Sequence, residues 1–310
     1  MLKLFNSNLR ALLLAVLVTF LWSTSFIIIK WGLAEIPPIT FAGLRYVLAF
    51  ICLSPFVFRK KNISEFKKLN NKIISKLVLL GLLFYFFTQG AQFLGLYFLP
   101  AVTVSLLLNL TPVVVAFIAI YMISETPNYL QWIGITLFVA GVLIYFYPVV
   151  FSENEMLGLV VMIIGVIANA LSAVLGRDIN REGKLTPFTV TLVSMGVGSI
   201  MLLTTGILLQ GLPVLNLKNI LYLLWLAIIN TAFAFTIWNL TLRSLTAMES
   251  SIINGTMLIQ IAGLAYFLLG EEISLKEGIG LFIAGTGAVV VQLKFRKSNI
   301  GDSSFLNLSE

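Results

Sequence analysis

Histidine is absent from the 310 residues, and cysteine occurs once, at Cys52. Without histidine, neither an imidazole proton relay nor a His-ligated metal site can be built. One cysteine forbids an intrachain disulfide, and its place inside an apolar span leaves the redox compartment unspecified. Charge is scarce too: 11% of the chain is Asp, Glu, Lys or Arg, against about 25% in soluble domains. No Asp or Glu falls in mid-span, so an intramembrane enzyme would lack both a nucleophile–base pair and a metal cluster. No catalytic residue, metal or cofactor is expected. Strict alternation over ~10-residue stretches, the mark of a membrane β-barrel, is missing. A ring of like charges or a filter-like carbonyl loop, which a channel would need, is missing as well.

What the chain has is apolar length. Hydrophobic residues make up 59%, and runs of 18 or more recur throughout. Each can cross a ~30 Å hydrocarbon layer as a helix. Ten spans are expected, at roughly 10–31, 37–58, 76–98, 100–122, 128–147, 156–176, 187–210, 218–241, 246–269 and 275–294. The fold class is all-α, a polytopic membrane protein with the lipid bilayer as its surroundings. The first run, Ala11 to Ile29, has no small-residue cleavage site after it and reads as retained.

The formal charge of +7 is set by topology rather than by nucleic acid, for which no soluble basic patch exists. The longest connection, Arg59 to Lys76, holds seven basic residues and reads as cytoplasmic by the positive-inside rule. With ten spans, sixteen of the twenty Lys and Arg residues then fall on the inner side and three on the outer, while Arg45 stays within the membrane. Both termini are expected in the cytoplasm, in a cell (plasma) membrane.

A repeat organises the chain. Leu99 to Tyr145 returns as Leu245 to Val291 at a constant offset of 146, pairing Ala101 with Ala247, Glu125 with Glu271, Gly134 with Gly280 and Gly141 with Gly287. Pro38 and Pro187 extend it at an offset of 149. The expected units are 1–148 and 149–297, each of five spans, followed by a short polar tail, 298–310. An odd number of spans inverts the second copy, as in many secondary transporters that place a binding site at the midplane.

The residues that carry this pattern are FLWSTSFIIIKWGL (20–33), TFAGLRYVLAF (40–50), LPAVTVSLLLNLTPVVVAF (99–117), SETPNYLQWIGITLFVAGVLI (124–144) and the second-half counterpart, 245–291. Together, over nearly the whole chain, they resemble the drug/metabolite transporter superfamily in its ten-helix EamA-type branch. The resemblance implies a central cavity lined mainly by the first, third, fourth, sixth, eighth and ninth spans. It implies movement of small metabolites, often export of amino acids, with the fifth and tenth spans packing at the periphery. The first-span pair Trp22-Ser23 is answered by Leu171-Ser172 in the sixth, so the cavity need not be symmetric.

Polar side chains inside hydrocarbon should face the bundle interior. Tyr85, Gln89 and Gln92 share one face of the third span, and the 146 offset maps them onto Thr231, Phe235 and Trp238. Ser105 and Asn109 share a face of the fourth, one turn before Pro112. The sixth offers Asn169 and Ser172; the ninth offers Ser250, Asn254 and Gln260. The candidate substrate-binding set is Trp22, Ser23, Tyr85, Gln89, Gln92, Ser105, Asn109, Asn169, Trp238 and Asn254. Such a set suits a small polar or zwitterionic ligand. The competing role for each is interhelical glue, at about 0.6 kcal/mol per bond. Arg45 is either an interfacial anchor or a carboxylate attractor, and Glu249 either an interfacial cap or a proton or cation site. Glu125 and Glu271 are expected to cap the helices that follow them.

The expected function is export of small metabolites, foremost amino acids, by alternating access. The alternative is a transporter of larger or cationic metabolites such as nucleotide sugars, S-adenosylmethionine or drug-like compounds. The only other partner expected is the small-molecule substrate, and the expected assembly is a monomer.

Overall fold

A computed structural model describes residues 2–58, 65–66, 69–123, 128–148, 151–181, 185–241, 244–245 and 247–292. Among the sequence expectations, the loop bases at 59–61 and 67–68, Lys184, Arg243, the bases beyond Gln292, Glu125 and the tail lie outside the described residues.

Among the described residues, ten helices are long and apolar enough to span a membrane: α1 (Leu9–Gly32), α2 (Pro38–Val57), α3 (Asn71–Phe98), α4 (Ala101–Ile118), α5 (Tyr129–Phe146), α6 (Glu153–Ile179), α7 (Pro187–Gln210), α8 (Leu217–Trp238), α9 (Ile252–Leu269) and α10 (Leu275–Gln292). Their outer surface is apolar: Leu208, Phe267 and Phe282 stand 78%, 81% and 70% exposed, as side chains facing acyl chains should.

Local starts follow from the residues that can satisfy a helix's orphan N–H groups. Asn70 Oδ1 accepts from Ile73 N–H at the head of α3, and Asn216 Oδ1 accepts from Asn219 N–H at the head of α8, both at 2.9 Å. Asn128 with Gln131, Ser152 with Glu155, and Ser274 with Glu277 form reciprocal capping pairs at α5, α6 and α10.

Three other helix starts are capped from across the chain. Gln210 Oε1 accepts from Ile39 N–H and Thr40 N–H at α2. Glu65 Oε2 accepts from Thr186 N–H and from the Thr186 and Thr189 hydroxyls at α7. Glu271 accepts from Ala101 N–H at 2.7 Å and Val102 N–H at 3.2 Å, at α4. This corrects the expectation that Glu271 caps the helix that follows it; Glu277 has that role at α10. The end of α9 lies beside the start of α4, so the carboxylate meets the open N–H groups of the other half first.

Helix association gains little from hydrophobicity within lipid and rests on close packing, which small residues allow. The tightest seam joins α5 to α10. A Cβ on Gly141 would strike the backbone of Ala284 and Gly280, and one on Gly287 would strike Phe138 and Gly134. The α2–α7 crossing is built alike, with Gly43 against Leu203 and Gly206 against Thr40. α3 packs on α6, where Gly95 faces Met162 and Gly165 faces Ala91. α1 packs on α8 and α9.

Two irregularities matter for the site. α4 is interrupted at Asn109 and Leu110, and α9 at Thr256, 146 positions after Leu110. α3 and α8 each widen into π-helix, at Leu82–Thr88 and Trp225–Phe233. In each, a threonine hydroxyl donates five residues back, Thr88 to Leu83 O and Thr231 to Leu226 O, both at 2.8 Å. These threonines are 143 apart, not 146, because 11 helical residues precede the π segment in α3 and 8 in α8. The equivalents of Gln89 and Gln92 are therefore Ala232 and Phe235, three residues short of the positions expected from the sequence.

Candidate functional site

The helices enclose a central cavity of about 390 Å³. α1 contributes Trp22, Ser25 and Phe26; α2 Arg45 and Tyr46; α3 Phe84, Thr88, Gln89 and Gln92. α4 adds Ser105, Leu108, Asn109, Thr111 and Pro112, and α6 adds Asn169. Phe235 of α8, Asn254, Met257 and Ile261 of α9 and Gln292 of α10 complete it. All six spans implied by the resemblance take part, and α2 and α10 join them.

Of the sequence candidates, Trp22, Gln89, Gln92, Ser105, Asn109, Asn169 and Asn254 line the cavity. Ser23, Tyr85 and Trp238 do not. Ser23 is sealed between α1 and α9, donating to Thr19 O and to Gln260 Oε1 at 2.9 Å. Tyr85 is buried behind the wall, with Tyr46 edge-on at 5.5 Å and Gly198 against its Cβ. Trp238 backs Trp22 at 5.2 Å and packs with Ala11, Ala15, Leu245 and Ile253. In each case the side chain sits on the helix–helix side of its span. Glu249 is exposed in the first turn of Ala247–Gly255 and does not line the cavity.

The wall grades from buried to open. Arg45, Tyr46, Thr88, Gln89, Gln92 and Ser105 are all buried, whereas Asn109, Thr111, Pro112 and Gln292 are half-buried and Asn254 is exposed. The cavity thus opens toward the end of the bundle where α1 begins and α10 finishes. The opposite end is plugged by Phe41 edge-on to Phe93 at 5.2 Å, by buried Leu96 and Leu99, and by the start of α4 held on Glu271.

Arg45 stands at the blind end, 4% exposed. It does not snorkel. Its Nε donates to Thr231 Oγ1 at 3.3 Å, and its guanidinium lies 5.0 Å from the Tyr46 ring centroid and 5.9 Å from that of Phe93. Among the described residues no carboxylate pairs with it, and its terminal nitrogens have no protein partner yet are not sealed from the cavity. Beside it, the Tyr46 hydroxyl donates to Gln89 Oε1 at 2.6 Å, which leaves the Gln89 NH₂ for the cavity. The Gln92 amide has no hydrogen-bond partner among the described residues.

Toward the open half the lining adds acceptors to its donors. Asn109 Nδ2 donates to Ser105 O at 2.9 Å and Asn169 Nδ2 to Thr111 Oγ1 at 3.0 Å, so each presents its carbonyl oxygen as a remaining acceptor. Trp22 is fixed as a wall by its Nε1–H, which donates to Asn230 O at 3.1 Å, and by Phe235 at 5.3 Å. Asn230 in turn donates to Leu21 O. Aromatic and aliphatic surface from Trp22, Phe26, Phe84, Phe235, Met257 and Ile261 fills the remainder.

Sequence reasoning passed over Tyr46, Thr88 and Phe84 as lining residues, and named Phe235 only as the repeat counterpart of Gln89. The available signal for Thr88 was helical spacing, since it lies four residues before Gln92 and so on the same face. Nothing in the pattern announced the π segment that turns Thr88 inward.

Comparison with known proteins agrees with this architecture. The model of the EamA-like transporter family matches the chain twice, over residues 9–147 and 156–293. An uncharacterized transporter of Archaeoglobus fulgidus is 28% identical over 296 residues, covering 93% of this chain and 99% of its own. A probable amino-acid metabolite efflux pump of Escherichia coli is 26% identical over 305 residues, covering 92% and 96%. An S-adenosylmethionine/S-adenosylhomocysteine transporter of Chlamydia muridarum is 23% identical over 292 residues, covering 89% and 90%. The chain is therefore a multi-pass membrane transporter rather than an enzyme, and it belongs to the EamA-like transporter family.

Proposed function

We propose that this protein exports amino acids and the small carboxylates related to them, by alternating access between two inverted halves, 1–148 and 149–297. The observation that carries the reading is Arg45, a buried cation without a carboxylate partner among the described residues, at the blind end of a cavity otherwise lined by amides, hydroxyls and aromatic rings. An unpaired charge in the membrane interior is costly and marks a functional site. A substrate carboxylate would meet it with charge-assisted, bidentate hydrogen bonds, flanked by the Gln89 and Gln92 amides. The aromatic walls suit an apolar side chain, and the efflux-pump relative supports an amino-acid metabolite.

In the proposed topology both termini are cytoplasmic, so the cavity faces the cytoplasm and loads from it. The interruptions of α4 at Asn109–Leu110 and of α9 at Thr256 lie against the cavity, where half-helices can swing without breaking the α5–α10 seam. The S-adenosylmethionine/S-adenosylhomocysteine transporter among the relatives supports the alternative of a cationic metabolite. The cavity lining weighs against it, having no carboxylate among the described residues to pair a sulfonium. A phosphorylated substrate would ask for more cavity bases than Arg45 alone.

The test is counterflow in proteoliposomes holding the purified protein and a mixture of unlabelled amino acids and carboxylates, challenged with one labelled compound at a time. Accumulation that needs a matching internal compound supports the reading. Its absence with folded protein overturns it.

A further inference from the structure

We infer that the preferred cargo is a monoanion, a carboxylate with an apolar side chain and an uncharged nitrogen or none, as in an N-acylated amino acid or a 2-oxo acid, and that its export is electrogenic. The inference rests on the carboxylate reading of Arg45 and concerns what lies at the other end of the substrate.

The charge count of the lining is one-sided. Among the described residues that face the cavity, Arg45 is the single ionised group and no Asp or Glu accompanies it. Glu271 and Glu249 do not line it: Glu271 is tied to the start of α4, and Glu249 stands exposed outside the lining. A zwitterion would neutralise the guanidinium but bring an ammonium with no counter-charge, so the occupied cavity would stay at +1. A monoanion leaves it neutral. Moving a neutral complex through the hydrocarbon layer avoids the desolvation of an unpaired ion.

The polar groups past the carboxylate fit an uncharged nitrogen. The Asn109 and Asn169 carbonyl oxygens can accept from an amide N–H, whereas an ammonium would find only neutral acceptors here and no carboxylate among the described lining residues to offset its charge. Around them the wall is Trp22, Phe84, Phe235 and Met257, which suits an acyl group or an aliphatic side chain. Since one negative charge leaves per cycle, an inside-negative potential drives the cargo outward.

Four probes with one side chain separate the cases: N-acetyl-L-leucine, 4-methyl-2-oxopentanoate, L-leucine and L-leucinamide, compared as exchange substrates in proteoliposomes. The two monoanions are expected to half-saturate at concentrations at least tenfold below that of leucine, with leucinamide last. With a potassium diffusion potential set by valinomycin, the steady distribution of N-acetyl-leucine should shift about tenfold per 59 mV, and that of leucine should not move. In Asn109→Asp, or in Asn169→Asp should the first fail to purify, the added carboxylate should reverse the order in favour of leucine. Leucine exchanging as well as or better than the monoanions, without response to voltage, overturns this inference and leaves the carboxylate reading intact. Leucinamide matching the acids, or exchange of none of the four, overturns the carboxylate reading itself.

Discussion

Glu271, at the end of α9, holds the backbone N–H of Ala101, 170 positions earlier, at 2.7 Å, and Val102 N–H at 3.2 Å. A side chain that caps a helix of the other half does two things at once. It offsets the positive end of the α4 dipole, and it ties shut the end of the bundle away from the cavity mouth. Replacing Glu271 with Ala should lower stability by about 1–2 kcal/mol, as cap removal does. A cysteine at Thr103, in a Cys52→Ser background, should then react several times faster with an impermeant thiol reagent from the outer side. Unchanged labelling with reduced stability would leave Glu271 a cap and nothing more.

The glycine seam makes a contrast that thermal unfolding in detergent can read. Gly141→Val places atoms onto the backbone of Ala284 and Gly280, a seam of backbone against backbone that has no flexible side chain to yield. A loss of about 1–3 kcal/mol, the usual cost of overpacking, is expected at minimum. Gly263→Ala, on α9 with nothing within 4 Å of the added Cβ, should be neutral or slightly stabilising.

The parts of this architecture that were legible in the sequence are those governed by one-dimensional rules. Apolar run length set the ten spans, the Gly134/Gly280 and Gly141/Gly287 pairs marked the repeat, and the family resemblance implied that the fifth and tenth spans pack together. The caps of α3 and α8 are one-dimensional in the same sense, since Asn70 and Asn216 each accept from an N–H three residues on in their own helix. What escaped depends on the third dimension. The π segments shift the α3–α8 equivalence by three residues, which no apolar pattern signals, so Thr88 was missed and Trp238 was expected in the wall. Ser23 and Tyr85 are as polar as the lining residues, but their partners, Gln260 and Tyr46, sit on distant spans and claim them for helix contacts. Arg45 was visible as an oddity, while its lack of a carboxylate partner among the described residues emerges only when every neighbour is in place.

Topology yields a direct check. Lys72, exposed at the head of α3, and Lys218, exposed at the head of α8, should lie on opposite sides of the membrane. With cysteines at these two positions and Cys52 replaced, an impermeant reagent added to intact cells should label position 218 alone. Permeabilisation should expose position 72. Label at 72 in intact cells would reverse the proposed orientation and turn the cavity outward.

Cavity residues and glue residues differ in what their removal should change. Gln92 lines the cavity without a protein hydrogen bond among the described residues, so on the proposed reading Gln92→Ala removes a substrate contact and no structural one. Transport should fall about tenfold, equivalent to ~1.4 kcal/mol, with the unfolding temperature unchanged. Arg45→Gln should cost more, because a bidentate charge-assisted contact is lost, and Arg45→Lys should recover only part, since a single ammonium cannot reproduce the guanidinium fork. Ser23→Ala gives the opposite profile. It deletes the bond to Gln260 between α1 and α9, worth about 0.6 kcal/mol, and should lower stability slightly while half-saturation stays the same. Half-saturation constants and unfolding temperatures measured on the same four variants separate the two roles. A Ser23→Ala that weakens substrate binding as much as Gln92→Ala would mean the cavity boundary lies farther into α1 than Trp22 and Ser25.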